Sequence, residues 1–476
     1  MIDIKDKDIF PDSDFLGEEE QGYREAVEEA GVKIVVLDDD PTGIQTVHGV
    51  YVYTHWDKES IRQGFAGDER VFYILTNSRS MGQERSVTIQ REIAANVMEV
   101  SEETGRDFLL VSRGDSTLRG HYPAETDALR GGLEQKGLRV DGEILCPFFE
   151  EGGRFTIRDI HYVKNREGKL IPAGDTEFAR DATFGYRSSD LKEWVEEKSC
   201  GRVRKESVLS ISLNELREGK VDEITEKLMG VQDFGRVVVN AACYGDLKVF
   251  AVAFWAAWKR EKRFLLRTAA SAVQILGGIT EKPMLTSREL HVEKKGYGGL
   301  IVIGSHVDKT TRQLNELKKC KELSFLEFHA ETAAHEVMLI SECQRISEEC
   351  SRILASGKSV VVYTSRRVIH ALSGDREENL RLSVRIADAV TEIVASLSVR
   401  PKYLVAKGGI TSSNIGTKAL NVRKAFVPGQ ILPGIPVWVT GEESRFPGLP
   451  YVIFPGNVGE DGDLLRVVKI LEYGQK

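Results

Sequence analysis

Cysteine is scarce: six in 476 residues, at positions 146, 200, 243, 320, 343 and 350, with no C-x-x-C pair among them. That excludes a disulfide-built scaffold and predicts reduced, mostly buried thiols of a cytoplasmic protein. The nine histidines show no H-E-x-x-H or other metal spacing, and His329 and His335 stand six apart, off a shared helical face. No protein-held metal is expected. Proline is rare, 13 residues against 44 glycines, and no low-complexity tract occurs, which rules out disordered and collagenous classes. No stretch approaches the roughly 20 apolar residues needed to cross a bilayer. The N-terminal MIDIKDKDIFPDSDF mixes charges of both signs without an apolar centre, so no secretory leader is expected there. A formal net charge of −8 (65 Lys+Arg against 73 Asp+Glu) offers nucleic acid no general basic field, although it leaves room for a local anion site. The chain also lacks G-x-x-x-x-G-K-[ST], which excludes a P-loop.

What the chain does have is alternation. After an acidic, helical lead-in over 1–31, short β-rich runs (KIVVL at 33–37, VYVYT at 50–54, VFYILT at 71–76, FLLVS at 108–112, EILCPF at 143–148, VVVN at 237–240) alternate with amphipathic segments at 82–104, 122–136, 212–229 and 246–261. A second series follows: GLIVIG (299–304), VVVYT (360–364), YLVA (403–406), VWVT (437–440) and YVIF (451–454), with helical segments at 308–320, 333–356, 376–399 and 460–472. Such alternation predicts parallel sheets flanked by helices. The polar, aperiodic stretch 279–298 marks a boundary. The expectation is two α/β domains with mainly parallel sheets, 32–285 and 297–476.

In sheets of this kind ligands bind beyond the carboxyl ends of the strands, and that is where the chemistry-bearing residues fall. The run 33–37 leads into Asp38, Asp39, Asp40, Pro41, Thr42 and Gly43. One of these residues could cap the next segment, but three adjacent carboxylates repel one another and suggest function. The run 71–76 ends in Asn77, Ser78, Arg79 and Ser80, and the run 108–112 in Arg113, Gly114, Asp115, Ser116, Thr117, Leu118, Arg119 and Gly120. Arginines suited to a carboxylate or phosphate thus meet aspartates suited to hydroxyls, an inventory that fits a small polyhydroxy acid. Asp38-x-Asp40-x-Thr42 also matches the D-x-D-x-T nucleophile pattern of haloacid-dehalogenase-type phosphatases. The lysine and the paired acids such an enzyme needs at later strand ends are not evident.

The second half carries glycine turns: Gly304-Ser305-His306 after 299–303, Lys407-Gly408-Gly409-Ile410-Thr411-Ser412 after 403–406, and Pro455-Gly456-Asn457-Val458-Gly459 after 451–454. From Arg400 to Thr440 there are six Lys/Arg and no Asp or Glu, a cationic island in an acidic chain. Turns of this kind, followed by a helix start, suggest a phosphate cradle built from backbone N–H groups.

In the order of these elements the chain resembles the four-carbon acid sugar kinase family. The resemblance rests on D-D-x-T-G (Asp39–Gly43), a T-R-S-type element (Ser78-Arg79-Ser80), K-x-D-S-T-L-R-G (Arg113–Gly120), a G-S turn (Gly304-Ser305), G-G-E-T-S (Gly408–Ser412) and G-N-x-G (Gly456–Gly459). It implies an ATP-dependent kinase of tetronate-type acids, with a sugar-acid domain, a nucleotide domain and an active site in the cleft between them. Mg²⁺ would come with ATP, bound mainly through its phosphates. By this resemblance Asp39 and Asp115 are the catalytic candidates, and Asp40, Arg79, Arg113, Ser116 and Arg119 the substrate-binding ones. Ser305, Gly408, Gly409, Ile410, Thr411, Gly456, Asn457 and Gly459 would line the nucleotide. Thr46, Arg113 and Ile410 stand where the family usually has Asp, Lys and Glu. The implied partners are a sugar acid and ATP, without nucleic acid or membrane, and a homodimer is compatible with this picture. A non-catalytic sugar-acid sensor on the same scaffold is the remaining alternative.

Overall fold

The computed structural model describes residues 9–10, 19–165, 167–292, 296–366, 376–456 and 458–474. The chain forms two compact units, Met1–Val47 with His55–Glu281, and His48–Thr54 with Lys282–Lys476.

The strands, numbered along the chain, begin with β1 (Lys33–Asp38), β2 (Val50–Tyr53), β3 (Val71–Leu75), β4 (Phe108–Arg113) and β5 (Gly142–Cys146). After β6 (Arg154–Ile157), β7 (Ile160–Lys164) and β8 (Leu170–Pro172), the series resumes with β9 (Leu209–Ile211), β10 (Gly235–Val239) and β11 (Phe264–Thr268). All of these except β2 lie in the first unit. Its main sheet runs β3-β1-β4-β11-β5-β10-β9, with every pairing parallel. Every residue of β1 is buried, as expected of a central parallel strand covered on both faces. From β1 the chain passes to β3 on one side and then to β4 on the other, so the strand order reverses between β1 and β4. A topological switch point of this kind opens a crevice at the carboxyl ends. Strands β6–β8 form a separate antiparallel sheet.

Helices cover the parallel sheet. Gln83–Thr104 buries Ile89, Ile93 and Val97 at helical spacing and ends at Gly105, whose positive φ of 65° suits a residue without a Cβ. The lead-in folds as Glu19–Ala30 and belongs to this unit: Lys248 Nζ meets Glu20 at 2.8 Å, and the Tyr23 hydroxyl donates to the Ile275 carbonyl at 2.7 Å.

The second unit contains β12 (Leu300–Ile303), β13 (Ser324–Phe328), β14 (Val360–Thr364), β15 (Leu404–Lys407), β16 (Lys424–Leu432), β17 (Ile435–Thr440) and β18 (Pro450–Phe454). Its sheet runs β13-β14-β12-β15-β18-β17-β16-β2; the first five strands are parallel and the last three antiparallel. Its switch point lies between β12 and β15. Ile301, Ile303, Val405, Val452 and Phe454 lie in the core on one side of this sheet, packed with Leu464, Val467 and Val468 of the helix Asp463–Tyr473.

Sequence position assigned 48–54 to the first domain, but β2 pairs antiparallel with β16, more than 370 residues later, with Val52 opposite Ala425. A four-residue strand finds its partner by hydrogen bonding across the fold, and sequence proximity has no say in it. The sheet is mainly parallel, as expected, and β17, β16 and β2 extend it with antiparallel pairings. Six further strands, β6–β9, β11 and β13, lie outside the apolar runs, because they are short or polar-interrupted.

Candidate functional site

At the first switch point, β1, β3 and β4 release their loops side by side, and backbone hydrogen bonds join them. Asp39 N donates to the Arg113 carbonyl at 3.3 Å, Arg79 N to the Asp39 carbonyl at 3.3 Å, and Gly114 N to the Thr268 carbonyl of β11 at 2.9 Å. Asn77 takes a left-handed conformation (φ 55°), which asparagine tolerates, and turns Arg79 back over the strand ends.

The result is an alternating cluster of charge. Arg79 grips Asp39 with two nitrogens, Nη2 at 2.6 Å and Nε at 3.1 Å, and extends Nη1 to within 3.7 Å of Asp40 and 3.8 Å of Asp115. Arg119 Nε donates to Asp115 at 2.7 Å, and the Thr117 hydroxyl donates to the same carboxylate. Burial works against ionisation of Asp115, yet the guanidinium groups of Arg79 and Arg119 hold its carboxyl far below the usual range. Asp40 is spent largely on its own turn, accepting from Thr42 N at 2.8 Å and Thr42 Oγ1 at 2.6 Å.

Exposure divides the cluster. The side chains of Asp115, Asp40, Arg79 and Arg119 are 12–22% exposed, whereas those of Asp38, Asp39 and Arg113 are 3–4% exposed. Arg113, expected at the substrate, lies beneath the site, its Nη1 3.4 Å from Asp38 and its Nη2 3.5 Å from Gln45. Burial pushes the Asp38 carboxyl up to about 8, against the pull of Arg113. Asp38 is therefore a sealed, mostly protonated group near neutrality, unsuited to act as the nucleophile of a D-x-D phosphatase. Gly43 is required here because a Cβ would stand 2.0 Å from Asp38 Oδ1. Ser116 is buried, and its carbonyl accepts from His161 Nε2 at 2.8 Å. Thr46, in the place of the family's aspartate, is buried and donates to the Ala270 carbonyl at 3.0 Å.

The sequence reading missed Arg267, at the end of β11. Its Nη2 donates to the Arg119 carbonyl at 3.3 Å and its Nη1 to Ser112 Oγ at 3.3 Å. A Cβ on Gly114 would fall 1.9 Å from Arg267 Nη1, so the glycine exists to admit this guanidinium. The same rule of a cation at a strand end would have found it, had FLLRT been recognised as a strand. Glu125 was also missed; it accepts from Ser78 Oγ at 2.5 Å and Ser86 Oγ at 2.7 Å and fixes the loop that carries Arg79.

In the second unit the glycine turns converge at the ends of β12, β15 and β18. Thr310 Oγ1 donates to Ser305 Oγ at 3.2 Å and to the Gly456 carbonyl at 3.2 Å, and Gly408 N donates to the Phe454 carbonyl at 2.9 Å. Cβ atoms on Gly304 and Gly408 would lie 2.3 and 3.3 Å from Thr411 Oγ1, and one on Gly456 would lie 3.2 Å from Ser305 Oγ. Ser305, Gly408, Thr411 and Gly456 thus share one locus, beside Gly409 at the start of the following helix, while Gly459 turns (φ 83°) against Gln313 and Asp463. Ile410 is 61% exposed there. Asn457 lies outside the described residues. Two cations missed as site residues hold the turns: Arg366 Nη2 donates to the Ser305 carbonyl at 2.8 Å, and the fully buried Lys407 donates to the Pro455 carbonyl at 2.5 Å. Burial brings the Lys407 amine down to about 6.

Residues 34–276 match the model of a sugar-binding N-terminal domain, and residues 300–464 that of a nucleotide-binding C-terminal domain. The chain belongs to the four-carbon acid sugar kinase family. The family's sugar-binding domain here carries the Asp–Arg cluster, and its nucleotide-binding domain carries the glycine turns. Among solved structures, a Haemophilus influenzae protein of the DUF1537 family shares the fold at 17% identity and a TM-score of 0.61, covering 92% of this chain and 100% of its own. A Salmonella typhimurium LT2 protein, provisionally named a tRNA synthase, does so at 14% identity and a TM-score of 0.65, covering 91% and 98%. No curated protein matches the chain in sequence.

Proposed function

We propose that this protein is an ATP-dependent kinase that phosphorylates a hydroxyl of a four-carbon sugar acid of the threonate, erythronate or 3-dehydrotetronate type. The observation that carries the proposal is the cluster of Asp39, Arg79, Asp115 and Arg119 at the switch point of a sugar-binding domain, in a chain whose other domain is nucleotide-binding.

Phosphoryl transfer asks for positioning and charge neutralisation more than for covalent chemistry. In the proposed mechanism Asp115, partly exposed and held ionised, accepts a hydrogen bond from the attacking hydroxyl and finally its proton. Asp39 is committed to Arg79 by two hydrogen bonds and sets the direction of that guanidinium. Arg79 and Arg119 face the substrate with Asp40, Ser116 shapes the floor, and Arg113 supports it from below. The hydroxyl oxygen bonds to the γ-phosphorus as the bond between that phosphorus and the ADP oxygen breaks. Ser305, Gly408, Gly409, Ile410, Thr411, Gly456, Asn457 and Gly459 would hold ATP. In this reading Mg²⁺ would be carried by the nucleotide's phosphates and water. When bound, that ion supplies neutralisation of phosphate charge. The proposed setting is cytoplasmic. No helix among the described residues is long and apolar enough to cross a membrane.

The test is incubation with Mg-ATP and a panel of four-carbon acids, monitoring ADP. Substrate-dependent ADP release is expected. Release of phosphate from a sugar phosphate without ATP, or binding of an acid without turnover, would overturn the proposal.

A further inference from the structure

The loop after β4 is covered by residues that follow β5: the antiparallel β6–β8 and the short turns up to about residue 190. Tyr186 donates its hydroxyl to the Thr117 carbonyl at 2.8 Å, and His161 Nε2 donates to the Ser116 carbonyl at 2.8 Å. Phe178 lies against two guanidinium groups, with Arg119 Cζ 5.1 Å and Arg154 Cζ 5.7 Å from its ring centroid. Arg154, the first residue of β6, is thereby held beside Arg119 and feels the charge of Asp115.

Arg154 differs from its neighbours in its partners. Arg79 is paired with Asp39 and Arg119 with Asp115, and Arg113 Nη1 lies 3.8 Å from Asp39 as well as 3.4 Å from the Asp38 carboxyl. Arg154 has no carboxylate partner; its Nη1 donates to the Gly152 carbonyl, and its buried Nε has no hydrogen-bond partner at all. A half-buried guanidinium whose buried Nε donor is idle is costly unless something anionic completes it. An arginine fork matches a carboxylate in shape and charge. The paired arginines, in contrast, would have to give up an aspartate to take a ligand's carboxylate.

We propose that Arg154, stacked on Phe178, receives the carboxylate of the sugar acid and makes this protein selective for acids over neutral polyols. The proposal deepens the kinase reading and rests on it. It moves the anion-recognition step from Arg79 and Arg119, which remain with the aspartates that orient the reacting hydroxyl, to a residue of the β6–β8 insertion.

The experiment compares the wild type with Arg154→Gln and Arg154→Lys in ADP release, using threonate, erythronate and the neutral polyol erythritol. Arg154→Gln is expected to raise KM for the acid at least tenfold, leaving KM for ATP within twofold and the rate of ADP release with erythritol, whatever its size in the wild type, unchanged. Arg154→Lys, which keeps the charge without the fork, should fall between the two, and it remains informative if the Gln variant fails to fold. A KM for the acid within twofold of wild type in both variants would overturn the assignment, as would an equal loss on erythritol. Should the wild type turn over no acid, the kinase reading fails by itself. Arg154 is then tested by the rise in Tm on adding threonate alone: a rise lost in Arg154→Gln supports the subsite, and an equal rise in both proteins, or none in the wild type, removes it.

Discussion

Asp115 occupies a position that Asp39 cannot, because one carboxylate is partly open to solvent and the other is closed over by its own arginine. Replacing Asp115 with Asn keeps the shape, removes the proton acceptor and leaves Arg79 and Arg119 short of a charge. We expect kcat to fall at least 100-fold while the affinity for a non-hydrolysable ATP analogue, measured by calorimetry, stays within twofold; activity within tenfold of wild type would place Asp115 outside the reaction. Lys407 makes a separate case. Its amine is neutral in the folded protein down to about pH 6 but protonated in the unfolded chain up to the ordinary value of 10.5. Between these limits the unfolded state binds more protons, so this group's contribution to stability rises with pH. Urea unfolding at pH 6.5 and pH 9 should therefore show the wild type gaining stability relative to Lys407→Met as pH rises. A gap that does not change with pH would mean that the buried amine is charged. Both residues sit at strand ends visible in the sequence. What separated an exposed carboxylate from a sealed one was burial, which depends on the neighbouring loops.

At the scale of elements, the parallel strands and the loops they release were legible because β1, β3, β4, β12, β14, β15 and β18 are short apolar runs followed at once by polar or glycine residues. The strands that escaped notice are those whose pattern depends on a partner. β11 carries Arg267 in an otherwise apolar run, and β13 is exposed enough to keep Ser324 and Glu327. β2 was recognised as a strand, yet its partner β16 could not be inferred. The pairing has a consequence. A fragment 282–476 lacks β2 and exposes the edge of β16, an open ladder prone to self-association. The same fragment with 48–54 joined through a flexible linker should remain monomeric in analytical ultracentrifugation and melt at a higher temperature. Equal behaviour of the two fragments would show that β2 is dispensable.

For the whole molecule, the family assignment gives one domain a sugar and the other a nucleotide to bind, and Arg79, Arg119 and Lys407 stand at or just beyond strand ends in a chain of net charge −8. Hydrogen exchange should resolve the two sites. Threonate should protect the loops 38–46, 77–81 and 113–120, and an ATP analogue should protect 304–311 and 407–412. Nucleotide protection confined to the first set of loops would reverse the proposed division of labour.

The sequence by itself determined the α/β class, the carboxyl-end location of the polar loops and the motifs that place the chain in its family. These follow from local periodicity and from residues adjacent along the chain. Tertiary structure alone decided which charges pair, that Arg113 and Asp38 lie beneath the site, that Arg267 and Arg154 come to it, and that 48–54 joins the second domain. Each of these turns on burial or pairing between residues dozens to hundreds of positions apart. Such separations leave no periodic trace in a single chain.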